Sequence, residues 1–131
     1  MSKLLSIITL CMMAACVTEA DAAPIGNPIA SSQTATAASS LVLKASGGIL
    51  NSLQANNSST AGYLLVFDAA SAPADGTVTP TFCYEMAANT TLQETWTYGV
   101  SFVTGITLVY SSTGCFSKTA SATAFLAGQS Q

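Results

Sequence analysis

A chain of 131 residues, half of them hydrophobic and only 7% charged, with a formal net charge of −3, has room for one compact domain with extra segments at its ends and no room for two. Histidine is absent, and beyond Ala22 there is no arginine; the cations there are Lys44 and Lys118, set against Asp68, Asp75, Glu85 and Glu94. This deficit argues against a nucleic-acid partner, which needs a basic stripe, and withholds the near-neutral titrating group, the anion clamp and the nitrogen metal ligand that most active sites use. The expectation is a non-enzymatic protein without cofactor or metal that works by surface.

The N-terminus reads as an export leader over residues 1 to 22. Lys3 supplies a positive charge, Leu4 through Val17 is almost unbroken apolar sequence, and Ala20-Asp21-Ala22 gives the small-x-small pattern cleaved by a signal peptidase. Two other readings stay open. Met13-Ala14-Ala15-Cys16 has the form of a lipobox, with lipid attached at Cys16, and the segment also suits a retained hydrophobic helix. Beyond it no apolar run reaches the ~18 residues of a spanning helix, so membrane contact is expected only through the leader or a lipid anchor. Export leaves Cys83 and Cys115 as an even pair where a disulfide persists. Closing a loop of about 33 residues stabilises by roughly 3 to 4 kcal/mol in the chain-entropy account. Two separately buried thiols are the alternative.

From Ala23 to Ser40 the chain is mainly Ala, Ser, Thr, Pro, Gly and Gln, with too little apolar surface to offset the entropy of ordering it, and is expected to be a flexible arm. The domain proper is expected over residues 41 to 128. Leu41 to Ala45 reads as a first strand, Ser46-Gly47-Gly48 as a turn, Ile49 to Gln54 as a second strand and Asn56 to Thr60 as a polar loop. Gly62 to Asp68 holds five large apolar residues in succession, the signature of a strand covered on both faces. Pro73, Asp75-Gly76 and Pro80 make Ala69 to Pro80 a long connection. Strands follow at Thr81 to Ala87, which carries Cys83, then at Leu92 to Tyr98, Val100 to Val103, Ile106 to Tyr110 and Ala122 to Phe125-Leu126. Seven to eight short strands with no helical periodicity predict an all-β fold, an antiparallel β-sandwich or jelly roll.

Within Leu92 to Tyr98 the alternation places Leu92, Trp96 and Tyr98 on one face, and Glu94 falls among them. An acid beside two aromatics is the composition of a sugar site, so Glu94, Trp96 and Tyr98 are the candidate ligand-binding residues; the plainer alternative is an edge strand whose acid guards against sheet-to-sheet pairing. Glycoside hydrolysis would need a second carboxylate opposite Glu94, and no partner can be named. Asp68 and Asp75 read as a strand-end cap and a turn former in preference to a calcium site, because no calcium-loop spacing surrounds them. No catalytic residues emerge, since serine here lacks any histidine base. Asn56-Asn57-Ser58, Asn57-Ser58-Ser59 and Asn89-Thr90-Thr91 match the glycosylation acceptor pattern and are taken as marks of surface loops.

Two segments carry a likeness. The run from Ala61 through Tyr63-Leu64-Leu65-Val66-Phe67-Asp68 to Pro73-Ala74-Asp75-Gly76, with Val78-Thr79-Pro80 after it, resembles a segment of small structural proteins of tailed bacteriophages. Ser111-Ser112-Thr113-Gly114-Cys115-Phe116 through Ala124-Phe125 resembles the end of the same proteins. The resemblance spans about residues 40 to 128 and implies a virion-associated β domain, a head decoration or tail accessory protein, whose partners are copies of itself or larger virion proteins. The leader departs from that family, whose members assemble in the cytoplasm. An exported cell-envelope protein that binds a surface glycan or polypeptide is the other expectation.

Overall fold

A computed structural model describes residues 28–131, so the leader, the cleavage site after Ala22, Cys16 and residues 23–27 lie outside the described residues. Ten strands follow one another: β1 Ala30–Gln33, β2 Ser40–Lys44, β3 Gly48–Asn57, β4 Gly62–Asp68, β5 Gly76–Thr77, β6 Phe82–Met86, β7 Thr91–Phe102, β8 Ile106–Ser111, β9 Ser117–Lys118 and β10 Ala124–Ser130. They form two four-stranded antiparallel sheets, in the orders β1-β10-β3-β7 and β2-β8-β4-β6, and a short β5-β9 ribbon. The fold is a β-sandwich. Setting aside the short ribbon, β1 pairs β10, β2 pairs β8, β3 pairs β7 and β4 pairs β6. Those are the rungs of one long hairpin folded at its middle, and the added pairs β10·β3 and β8·β4 roll it into two layers, which is the jelly-roll arrangement.

Period-two alternation fills the space between the layers. Leu50, Leu53 and Ala55 of β3 and Leu126 of β10 face Leu64 and Val66 of β4 and Ile106, Leu108 and Tyr110 of β8, all essentially fully buried. Burying each such large side chain contributes about 1.5 to 3 kcal/mol before the entropy of ordering it is subtracted. Asn57 is a polar joint at the end of the core: its Nδ2 donates to the Ala87 carbonyl (2.7 Å) and the Tyr110 hydroxyl (2.8 Å) while Oδ1 accepts the Thr90 amide (2.8 Å). The Tyr110 hydroxyl donates in turn to the Thr60 carbonyl (3.0 Å). Satisfying both halves of the amide is what makes its burial tolerable.

The run of apolar residues in β4 is covered on both faces, as its composition predicts. Leu64 and Val66 point into the sandwich, whereas Leu65 and Phe67, with Val109 of β8, form a second cluster on the outside of that sheet beneath Tyr63, Ala69, Ala72 and Val78. The cover is a flap built from the long connection after β4 and the segment between β8 and β10, joined through β5·β9. Cys83 of β6 and Cys115 of the flap stand at disulfide distance with their Cα atoms 5.6 Å apart. Lys118, buried at 4% exposure, is ion-paired with Asp75, which also accepts the Ala120 amide (3.1 Å).

Three expectations are corrected. The stretch up to Ser40 is not wholly a free arm: Ala30–Gln33 is an edge strand on β10, and Thr34 and Ala38 donate their amides to Leu126 and Ala124 at 2.9 and 2.8 Å. Backbone pairing holds this segment where its side chains bury little, and the composition argument counted only side chains. The loop expected at Asn56-Asn57 is the end of β3, so Asn57 is a buried joint and no glycosylation acceptor; Asn89, exposed at φ 56° in the turn after β6, does sit in a surface loop. Finally, the strands expected at Leu92 to Tyr98 and Val100 to Val103 are one, β7, which ends at Phe102 and leaves Val103 in the loop that follows. Ser52 pairs Thr95 and Leu50 pairs Val100, so the four residues Trp96 to Gly99 stand opposite Asn51 alone, a wide bulge in β7 that Gly99 turns at φ 69°.

Candidate functional site

That bulge dismantles the constellation expected at Glu94, Trp96 and Tyr98. Glu94 and Trp96 point inward at the side of the sandwich where edge strands β6 and β7 face each other, and the Trp96 ring stacks on Phe82 with centroids 5.8 Å apart, Phe82 in turn lying 6.4 Å from Tyr84. Burial first, and the Glu94 carboxylate second, push the Tyr84 phenol above its usual pKa. Tyr98 is thrown out by the surplus residues and is 94% exposed. Trp96 therefore closes the sandwich and is no open sugar platform.

Two other acids, Asp68 and Asp75, act as ties. The Asp68 carboxylate accepts the amides of Thr104 (2.6 Å), Val103 (3.1 Å) and Gly105 (3.2 Å), and these bonds, Thr104's foremost, hold its pKa below the usual carboxylate value. Asp75 is held low chiefly by the Lys118 ammonium. Among the described residues no group of three or more His, Cys, Asp or Glu side chains comes together to hold a metal.

The flap seals one broad face of the sandwich, and among the described residues nothing covers the outer face of β1-β10-β3-β7. Register gathers its side chains into cross-strand rows. One row is Ser31, Gln129, Ser52 and Thr95; the next is Gln33, Ala127, Gln54 and Gln93; the third is Phe125, Asn56 and Thr91. Rows two residues apart along a strand are about 7 Å apart and strands about 4.8 Å apart, so the patch measures about 14 Å each way. In the middle row Ala127 stands between the longer Gln33 and Gln54, and the face dips there into a groove of about 550 Å³. A second hollow of about 290 Å³, lined by Gln54, Asn56 and the half-exposed Phe125, continues it. Ser52 Oγ donates to Gln129 Oε1 and Gln129 Nε2 to Ser31 Oγ, each at 3.2 Å, and Asn56 Nδ2 donates to Thr91 Oγ1 at 2.6 Å. No ionisable side chain lies in the three rows.

These residues were not singled out in the sequence. The signal was the alternation Ser52-x-Gln54-x-Asn56, Thr91-x-Gln93-x-Thr95 and Phe125-x-Ala127-x-Gln129, which marks outward positions on each strand separately. Their assembly into one face depends on pairing between segments up to a whole domain apart. Comparisons with protein families, with curated proteins and with solved structures found nothing that matches this chain.

Proposed function

We propose that this protein is a non-enzymatic structural and binding domain, a virion accessory of the head-decoration or tail-associated kind or a prophage-encoded relative. The observation that carries the reading is the asymmetry of the sandwich: one broad face is closed by a cross-tied flap and the other is open, concave and uncharged. A domain so built presents a single broad sheet face for seating on something larger. Jelly rolls serve in viral capsid and lectin domains, and this supports the reading by analogy of fold alone. Asp68 and Asp75 tie loops together, which also suits a protein that works by shape.

A second reading, an exported cell-envelope protein with or without lipid at Cys16, is favoured by the cysteine pair, because such a bridge persists in an oxidising, exported setting. Purification of phage particles from the host that encodes this chain tests the two together. The virion reading expects the chain to pellet with particles at a fixed stoichiometry. Its recovery only in the envelope fraction, as a strict monomer with a processed N-terminus, overturns that reading in favour of the second.

A further inference from the structure

We propose that the groove on the outer face of β1-β10-β3-β7 binds a neutral glycan, a chain of uncharged hexoses; the proposal rests on the binding reading above and names the ligand of its open face. Four properties of the face point to this ligand class. First, apart from Ala127 and Phe125 the side chains of its rows are amides and hydroxyls, each both donor and acceptor, and sugar hydroxyls have the same dual character, so either orientation of a hydroxyl finds a partner. Second, the rows hold no charge, so an anionic or cationic ligand would lose its hydration there without gaining an ion pair. Third, the half-exposed Phe125 closes one end of the trough, offering a flat apolar surface to the C–H face of a pyranose ring beside the polar Gln54 and Asn56. Fourth, the hollow lies on a sheet face and not along a strand edge. An extended peptide adds to edges, where unpaired backbone awaits it; on this face every strand is already paired to its neighbour, so recognition falls to side chains.

The polar side chains around Ala127 are already partly organised by bonds to one another. Gln129 is held between Ser31 and Ser52, and Asn56 is held by Thr91, while Gln33, Gln54 and Gln93 flank the floor. Part of the ordering cost of binding is thereby met before the ligand arrives. The set lies on the face of β7 opposite Glu94 and Trp96, so it is distinct from the aromatic row that closes the sandwich.

The test is a titration of the isotopically labelled, disulfide-intact protein, followed through its backbone amide resonances, with cellohexaose, maltohexaose and mannohexaose, and with hexagalacturonate as an anionic control. At least one neutral probe is expected to shift residues of the three rows and to leave the flap unmoved. Phe125→Ala is expected to weaken that binding at least tenfold, about 1.4 kcal/mol, and Ala127→Trp, which fills the trough, to abolish it. Glu94→Gln, on the opposite face of β7, is expected to leave it unchanged, and dispersed amide spectra of each variant establish that it folds. No shift from any neutral probe at about 10 mM, far above a useful affinity, overturns the proposal. So does tighter binding of hexagalacturonate, or a dimer formed through this face that Ala127→Trp dissolves while saccharides do nothing. A protein that pellets with particles yet ignores every saccharide loses the glycan site and keeps the virion reading; one that binds saccharide through the rows yet never pellets with particles keeps the site and loses that reading.

Discussion

Asp68 ends β4 at the edge of the loop between β7 and β8, and three of that loop's amides converge on its carboxylate. Because these bonds favour the ionised form, its pKa in the folded protein lies below the ordinary 3.8. The folded state thus binds a proton less readily than the unfolded state. The stabilisation is whole above the unfolded pKa and is lost as pH falls through the lower, folded one, a window that opens below about pH 4. Asp75, held low mainly by Lys118, has the same sign and adds to the same acid limb. Asp68→Asn is expected to lower stability at pH 7 and to lose less on acidification than the parent, so denaturant melts of the two chains should converge as pH falls from 7 to about 2.5. A gap that stays constant over that range refutes the cap. The role of Asp68 was legible in the sequence as a strand-end cap, whereas Asp75, expected to form a turn, instead ties the chain to Lys118 and Ala120 more than forty residues on, a pairing no local pattern shows. The face of Tyr98 was not legible either, because strict alternation holds only while register holds, and the surplus residues Trp96 to Gly99 break it.

At the level of elements, the flap decides which sheet is buried twice. Leu65, Phe67 and Val109 would form an exposed apolar stripe without it; the short β5·β9 ribbon and the Lys118 to Asp75 pair join its two halves, and the Cys83 to Cys115 bridge, with bonds such as Ser121 N–H to the Tyr110 carbonyl and Thr107 Oγ1 to the Ala69 carbonyl, fastens it to the sheet. A two-residue ribbon supplies little by itself, so the bridge is expected to dominate. Replacing both cysteines by alanine should cost about 2 to 4 kcal/mol in denaturant melts, because the closed loop no longer restricts the unfolded chain. The loss should also be local. Hydrogen exchange is expected to quicken at flap amides such as Val78 and Ser112, which bond across to Phe116 and Thr119, while β3 and β10 stay protected. Equal quickening in both sheets would show that the flap is no separate unit. The unbroken apolar run of β4 announced a two-sided cover, and the concentration of proline, glycine and aspartate after it announced a long connection. That the second supplies the first follows only from the crossing of the chain over its own sheet, which no local pattern encodes.

At the scale of the whole described domain, the chain is one rolled hairpin whose outermost rung joins Ala30 to Ser130, its two far ends. Pairing so distant is costly to close, and this is the element the composition of residues 23 to 40 hid. Its value lies in what it covers. Exposed strand edges invite pairing with other chains, and each edge of this sandwich is blunted: β7 by its bulge, β6 by the exposed Glu85, β2 by Lys44 at its end, and the remaining edge by β1, only four residues long, standing in front of the seven-residue β10. Because β1 buries little, and each of its backbone bonds contributes about 1 kcal/mol net against an ordering cost of similar size per residue, removing it should change stability only modestly. A chain begun at Ser39 is therefore expected to stay folded and to self-associate as its concentration rises, seen as a growing sedimentation coefficient where the parent is constant. The same truncation removes Ser31 and Gln33, the outer wall of the neutral groove, so any ligand of that face is lost along with the guard. A truncated chain that remained a monomer at every concentration would mean that β10 is protected by its own residues, and that β1 serves the groove alone.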